Sequence, residues 1–361
     1  MKILYTSAEL LQDQGLLKNI ETAGRVCYKS EDRITEDSAL TFVNMIRKSG
    51  HYSVLEHGSI YLKSKFPIII EDISTERYIS GNALPESPWC HIDLKDSFYY
   101  YYTNLRVIEE ACPRLADCII KSKPLPEGIE FFNPSSADPY RRISFRIIAD
   151  FKISEQYLRH RLLSPSKEST RFCNYSKEKF NKELSIVLPQ SLARILGFLP
   201  CSVSSLNDKW KVHFKEETVK SKNAEFYINN ILTHFSEKIS DTEYLVNLSM
   251  YPELDLYLSI AKLAEIKYMD LVNKGTKPEE ARIILPCMTK TEQVMTGFIK
   301  DWQEVCVKRS IKAAQTEARV IANDILMVLN DLRNSNKEKD LYTVAPEYLD
   351  ALKADFSYDN V

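Results

Sequence analysis

Along the chain the apolar positions change their period several times, and each change predicts an element. In SALTFVNMIRK (38–48), Leu40, Phe42, Val43 and Ile46 recur at helical spacing, and Ser49-Gly50 ends that helix. HYSVLEHGSIYLKSKF then passes from polar residues into a short strand-like run. Residues 94–119 hold four consecutive tyrosines (99–102) and read as a tyrosine-rich helix, followed by a proline-rich loop over 121–139. Ile143, Phe145, Ile147 and Ala149 alternate with Ser144, Arg146 and Ile148, which predicts a strand. Asp150 is placed to cap a helix running to about Leu163, with Gln156, Arg159 and His160 on one face and Ser164-Pro165 as its stop. Residues 181–260 read as further helical material with a polar segment at 214–226. Thr276 and Glu279 fit a capping box with Pro278 in the first turn, and Thr289 and Glu292 fit a second. Val294, Met295, Phe298, Trp302, Val305 and Cys306 then form a long amphipathic stripe ending near Arg309. A last helix over 311–331 carries Ala314, Ile321, Ile325 and Leu329 on one side, and a charged tail follows from 332.

Composition narrows the class. The 361 residues are 44% hydrophobic and 27% charged, with a net charge of -2, as in an ordinary water-soluble globular protein with a real core. That balance argues against a dedicated nucleic-acid binder, so the basic residues near position 160 are a local feature. No run is long enough to span a bilayer, and MKILYTSAEL has no signal-peptide pattern. The eight cysteines form no CxxC pair, which gives a structural zinc site little support and fits a cytoplasmic setting with free thiols. Glycine is scarce and neither GxGxxG nor GxxxxGK occurs, which argues against Rossmann and P-loop nucleotide sites.

The sharpest local signal is RHRLLSPSKESTRF, residues 159–172. Arg159, His160, Arg161 and Arg171 concentrate positive charge, and a cleft holding them needs an anionic ligand. Arginine forks suit a phosphate or the edge of a pyrimidine, and the Ser169 hydroxyl stands two residues before Arg171. The other reading is a set of surface arginines tied to acidic neighbours. Cys173 is either an activated thiolate or a small buried hydrophobe, with no base marked out for it. Redox or group-transfer chemistry here therefore calls for a cofactor.

The spacing Arg-His-Arg, seven residues, Ser, one residue, Arg resembles the signature of the flavin-dependent thymidylate synthases. GHYSVLEH (50–57), EARIILP (280–286) and RSIKAAQTEAR (309–319) resemble further pieces of that family, in its order. The resemblance implies an α/β fold of the α+β type, with a mixed sheet and long helices. It implies a single domain over 1–331, with 64–140 as an insertion. It implies a homotetramer with interfacial active sites that converts dUMP to dTMP, with methylenetetrahydrofolate as carbon donor and NADPH reducing FAD. Carried over by position, Gln156, Ser169, Arg171 and Arg282 would hold the nucleotide, the two arginines on its phosphate. Arg159 and Arg309 would face the uracil, His160 and Arg161 would contact FAD, and His57 would lie near the flavin and folate.

The chain departs from the family pattern at Ser166 and Lys167, with Glu168 next, at Phe172, and at Phe298, Lys300, Glu304 and Ala313, where many relatives carry flavin-facing or other polar residues. Two alternatives to an active enzyme follow. One is a dUMP-binding relative without flavin-dependent turnover. The other is a single-stranded nucleic-acid module using the tyrosines at 99–102, which the near-neutral charge disfavours.

Overall fold

A computed structural model describes residues 1–72, 77–84, 86–206, 209–220, 236–248 and 251–335. The tail from 336, and residues 221–226 of the polar segment, lie outside the described residues. The fold is mixed α+β. A four-stranded antiparallel sheet positions most of the candidate site, in the order β10 (Ser164–Lys167), β16 (Lys290–Phe298), β9 (Arg142–Asp150), β2 (Ser7–Leu11). Helices Phe151–Leu158, Ile299–Arg309 and Thr316–Ser335 cover it, with Phe145, Ile147, Met295, Trp302, Ile321 and Ile325 in the shared core.

A six-stranded sheet lies along the other part of the chain. It includes β1 (Lys2–Leu4), β11 (Ser185–Val187), β12 (Cys201–Leu206) and β13 (Lys209–Phe214), and packs with the helix Pro252–Asn273. A third sheet pairs β3 (Ser59–Ser64) with β7 (Phe98–Asn104) under helices Leu16–Tyr28, Ser38–Ser49 and Leu105–Ala111.

Several expectations hold at the level of single residues. Helix Ser38–Ser49 ends at Gly50, whose φ of 73° is the left-handed conformation glycine adopts without strain. Strand β9 buries Phe145, Ile147 and Ala149 on one side. The Asp150 carboxylate caps the next helix by accepting from the backbone N–H of Lys152 at 2.7 Å and of Ile153 at 2.9 Å.

Others are corrected. The helix after Asp150 stops at Leu158, so Arg159 and His160 lie beyond it, because Pro165 disfavours helical backbone before it and Ser164–Lys167 is drawn into a ladder with β16. Tyr99–Tyr102 lie on strand β7, a backbone that suits runs of tyrosine, and the helices Leu105–Ala111 and Pro113–Ile120 begin only after it. The stripe from 294 divides into two elements: Lys290–Phe298 is a strand, and only Ile299–Arg309 is helix. Thr291 to Phe298 are all buried, as befits a strand covered on both faces, and such a run has no polar alternation to reveal it. Thr289 and Glu292 are therefore not a cap.

Near 276 the helix is the short Pro278–Ala281, with Lys277 at its cap and no side-chain capping bond. The last helix is Thr316–Ser335 rather than 311–331. Most of the described part of 181–246 is strand and loop rather than helix, and the long helix comes at Pro252–Asn273. Gly297 has a packing reason: a Cβ there would lie 2.2 Å from Leu163 Cδ2.

Candidate functional site: two arginine clusters and a buried ionic network

Arg309 closes its helix beside the end of helix Phe151–Leu158. Its Nε donates to His160 Nε2 at 2.9 Å. One terminal nitrogen donates to Gln156 Oε1 at 3.1 Å and the other to the Gln156 carbonyl at 2.6 Å. The Gln156 amide nitrogen in turn donates to Gln315 Oε1 at 3.0 Å, so the amide is oriented with its oxygen toward Arg309. Every one of these acceptors is neutral, and among the described residues no carboxylate pairs with Arg309. A half-buried, fixed guanidinium without a counter-ion among the described residues has the chemistry to bind an anion or to stabilise negative charge as it develops.

His160 must be neutral to accept from an arginine, so its proton sits on Nδ1. Burial, then the Arg309 charge, holds its pKa down to about 4.

The second cluster lies between the loop after β10 and the helical turns Pro278–Ala281 and Arg282–Ile284. Arg282 donates from one terminal nitrogen to Thr170 Oγ1 at 3.0 Å and from Nε to the Glu279 carbonyl at 3.1 Å. Arg171 reaches the same Glu279 through its carboxylate, at 3.5 Å. Two guanidinium forks thus meet one acidic residue, and the Arg171 side chain is 58% exposed. Ser169 anchors the turn: its N–H donates to the Cys27 carbonyl at 3.0 Å, and its own carbonyl accepts from Phe172 and Cys173.

Beneath this loop runs a buried ionic network that the sequence patterns did not reveal. Glu168 accepts from Lys290 Nζ at 2.8 Å, and Lys290 also reaches Glu292 at 2.9 Å. Glu292 is further paired with Lys29 and Arg146. Burial alone would raise the Glu292 pKa, but the charges of Lys290, Lys29 and Arg146 outweigh it and bring the group down to about 2. The Glu168 N–H donates to the Glu292 carbonyl at 2.7 Å, so the network pins the base of the loop that carries Ser169 and Arg171. Cys173, next to that loop, is fully buried, and burial pushes its thiol up to about 12, so it belongs to the core.

His57 is separate from both clusters. It is 1% exposed, and its Nδ1 lies 2.7 Å from Thr296 Oγ1, which is 2.6 Å from Ser144 Oγ. Its Nε2 is buried without a hydrogen-bond partner. Burial, then Arg142, pushes its pKa down to about 3.

Within one chain, then, the predicted residues are brought together in part. Gln156 sits with Arg309 and His160 rather than with Ser169, Arg171 and Arg282. Arg159 and Arg161 are exposed, and neither forms an ion pair among the described residues. Arg142, Lys29, Arg146 and Lys290 had no motif to mark them, since their partners are distant in sequence.

The structure thus presents a mixed α+β chain with two separate arginine clusters. The family model for the thymidylate synthase complementing protein matches residues 9–80 and 140–332, more than half of the chain, and the chain belongs to that family. Residues 81–139 fall outside the match. No curated protein matches it. Among solved structures, the chain is similar to a UMP/dUMP methylase, PolB from Streptomyces cacaoi, bound with 5-Br dUMP. The two share 12% identity over 92% of this chain and 93% of that one, with a TM-score of 0.34.

Proposed function

We propose that this chain is a flavin-dependent thymidylate synthase, which reductively methylates dUMP to dTMP with methylenetetrahydrofolate as carbon donor and NADPH as reductant through FAD. The observation that carries the reading is Arg309, a fixed cation held by Gln156 and His160 with no counter-ion among the described residues.

Arg171 and Arg282 bind the nucleotide phosphate in this account, with the Ser169 hydroxyl beside them. Binding exchanges the loose contact of Arg171 with Glu279 for a charge-assisted contact to phosphate. Arg309 lies against the uracil and stabilises the negative charge that builds on the ring when it is activated. Because Gln156 and His160 already hold the guanidinium, little reorganisation is needed at that step. Arg171 and Arg309 belong to different clusters of one chain, which fits a site completed by a second copy in a homotetramer.

The residues present fit a flavin with a pyrophosphate. Arg159 and Arg161 offer two unengaged forks next to His160, which presents an Nδ1–H, and His57 keeps an unpartnered Nε2. When bound, FAD supplies the reducing equivalents taken from NADPH.

One observation favours a second reading, a dUMP-binding relative without turnover. Phe298 is buried under the Arg142 guanidinium, Lys300 Nζ lies 4.5 Å from the centre of the Tyr140 ring, and Glu304 is paired with Lys308. These positions, flavin-facing in many relatives, are occupied with internal contacts. The absorption spectrum of protein purified without added cofactor separates the readings. The enzyme is yellow and releases FAD on denaturation, whereas the second reading predicts colourless protein that binds dUMP but not FAD.

A further inference from the structure

Arg142 has no place in the motifs above, yet it is among the most enclosed charges in the chain, at 5% exposure. Its position follows from register. In the β9–β16 ladder Arg142 stands opposite Phe298 and Ser144 opposite Thr296, so the arginine and the hydroxyl pair that holds His57 lie one strand step apart. One terminal nitrogen of Arg142 donates to the Glu56 carbonyl at 3.1 Å, in the residue just before His57, and to Ser164 Oγ at 3.4 Å. The guanidinium lies 5.2 Å from the centre of the Phe298 ring. Its backbone N–H donates to the Tyr61 hydroxyl at 2.8 Å.

No carboxylate contacts the Arg142 side chain among the described residues. The Glu56 carboxylate is turned to Arg106, and Glu56, Asp301, Tyr61 and Cys90 act on the Arg142 guanidinium only through space. Among the described residues, Arg142 Nε, its other terminal nitrogen and His57 Nε2 are all buried and have no hydrogen-bond partner. Native interiors rarely leave three such groups in one place, and a buried charge held only by neutral groups is costly unless it has a task.

We propose that Arg142 is a positioning residue for His57: it anchors the backbone immediately before the imidazole and adds a fixed positive charge to the burial that keeps the ring neutral, with Nε2 left for a bound molecule. Thr296, backed by Ser144, holds the opposite ring nitrogen. The charged and titratable groups around the pair are Arg142, Glu56 with its partner Arg106, Tyr61, Cys90, and Asp301 with Lys300. Asp301 is itself pushed up to about 6 by burial, so it is mostly ionised at neutral pH and partly offsets Arg142. The low pKa of His57 agrees with a ring that is buried and faces a cation. The proposal rests on the reading of His57 as a site residue, but its first test does not require turnover.

The test is a histidine NMR titration of the full chain, with His57 assigned from the spectrum of His57→Gln. Parent His57 should stay neutral to the lowest pH at which the fold survives. Arg142→Met, which replaces a buried charge with an apolar chain of similar length, should raise the midpoint by about one pH unit or more. Arg142→Lys should keep the ring neutral. If the ring titrates in Arg142→Met as it does in the parent, the proposal is wrong.

Should Arg142→Met fail to fold, Arg142→Lys decides through kinetics. It keeps the charge but loses the fork that spans Glu56 and Ser164, so turnover at saturating dUMP should fall about tenfold while the KM for dUMP stays near the parent value. Parent-like turnover, or a loss confined to KM, overturns the role. If the parent itself makes no dTMP, the proposed function fails, and the titration still judges Arg142.

Discussion

Arg309 Nε donates to His160 Nε2 at 2.9 Å, and that one bond settles the protonation of both partners. The arginine stays charged, so the histidine is neutral with its proton on Nδ1. Protonating His160 breaks the bond and places two cations side by side.

The first prediction follows from that bond. The folded pKa of His160 is lowered to about 4, against about 6.5 for an unperturbed histidine. Between these values the unfolded chain binds more protons than the folded one, so the His160 contribution to stability rises with pH across that window and is lost as pH falls through it. His57 adds a contribution of the same sign, and Asp301, whose pKa is raised, opposes both. His160→Gln should melt with a weaker dependence on pH between about 4 and 6.5 than the parent. Parallel melting curves across that range would remove the tautomer assignment.

Arg171 and Arg309 should fail differently. Arg171→Ala should weaken dUMP binding in calorimetry and leave flavin content unchanged, because its side chain is exposed and bound only loosely to Glu279. Arg309→Ala should also lower turnover at saturating dUMP, by about a hundredfold if it resembles the loss of one oxyanion-stabilising donor. Equal loss of stability in both variants, with FAD and dUMP affected alike, would make the two arginines structural.

Glu292→Gln should be costly. It leaves Lys29, Lys290 and Arg146 around a neutral side chain at a buried position. Breaking a buried ion pair from one side costs about 3–5 kcal/mol, which urea unfolding would show as a lower midpoint at an unchanged slope. Because the network pins the loop at Glu168, dUMP affinity should fall as well. A variant as stable as the parent would mean that the network contributes little.

Gly297→Ala tests the packing of β10 against β16. The added methyl meets the buried Leu163 side chain, and overpacking of this kind costs about 1–3 kcal/mol. With Leu163→Ala added, the double variant should lose less stability than the sum of the two single losses, a coupling read by a double-mutant cycle. Strict additivity would show that the two residues do not interact.

What could be read in advance was local. The Asp150 cap and the Gly50 terminus depend on residues a few positions apart, and both are where the patterns put them. Val294, Met295 and Phe298 satisfy a helical stripe and a fully buried strand equally well. Only the pairing of β16 with β9 and β10 decides between them. The same limit applies to the site. The Arg-His-Arg and Ser-x-Arg spacing was visible, but the Gln156–Arg309 contact spans 153 positions and the Lys29–Glu292 contact 263. Arg142 reads as the first residue of a strand and nothing more until its neighbours are in place. The helix end at Leu158 has no local signal, because a ladder to β16, distant in sequence, competes for Ser164–Lys167.

The most direct measurement is dTMP formation by the purified chain supplied with dUMP, methylenetetrahydrofolate, NADPH and FAD, run beside Arg309→Ala at matched flavin content. The parent should form dTMP, dependent on FAD, and the variant should lose about a hundredfold at saturating dUMP. A parent with full flavin occupancy that forms no dTMP would contradict the proposed function.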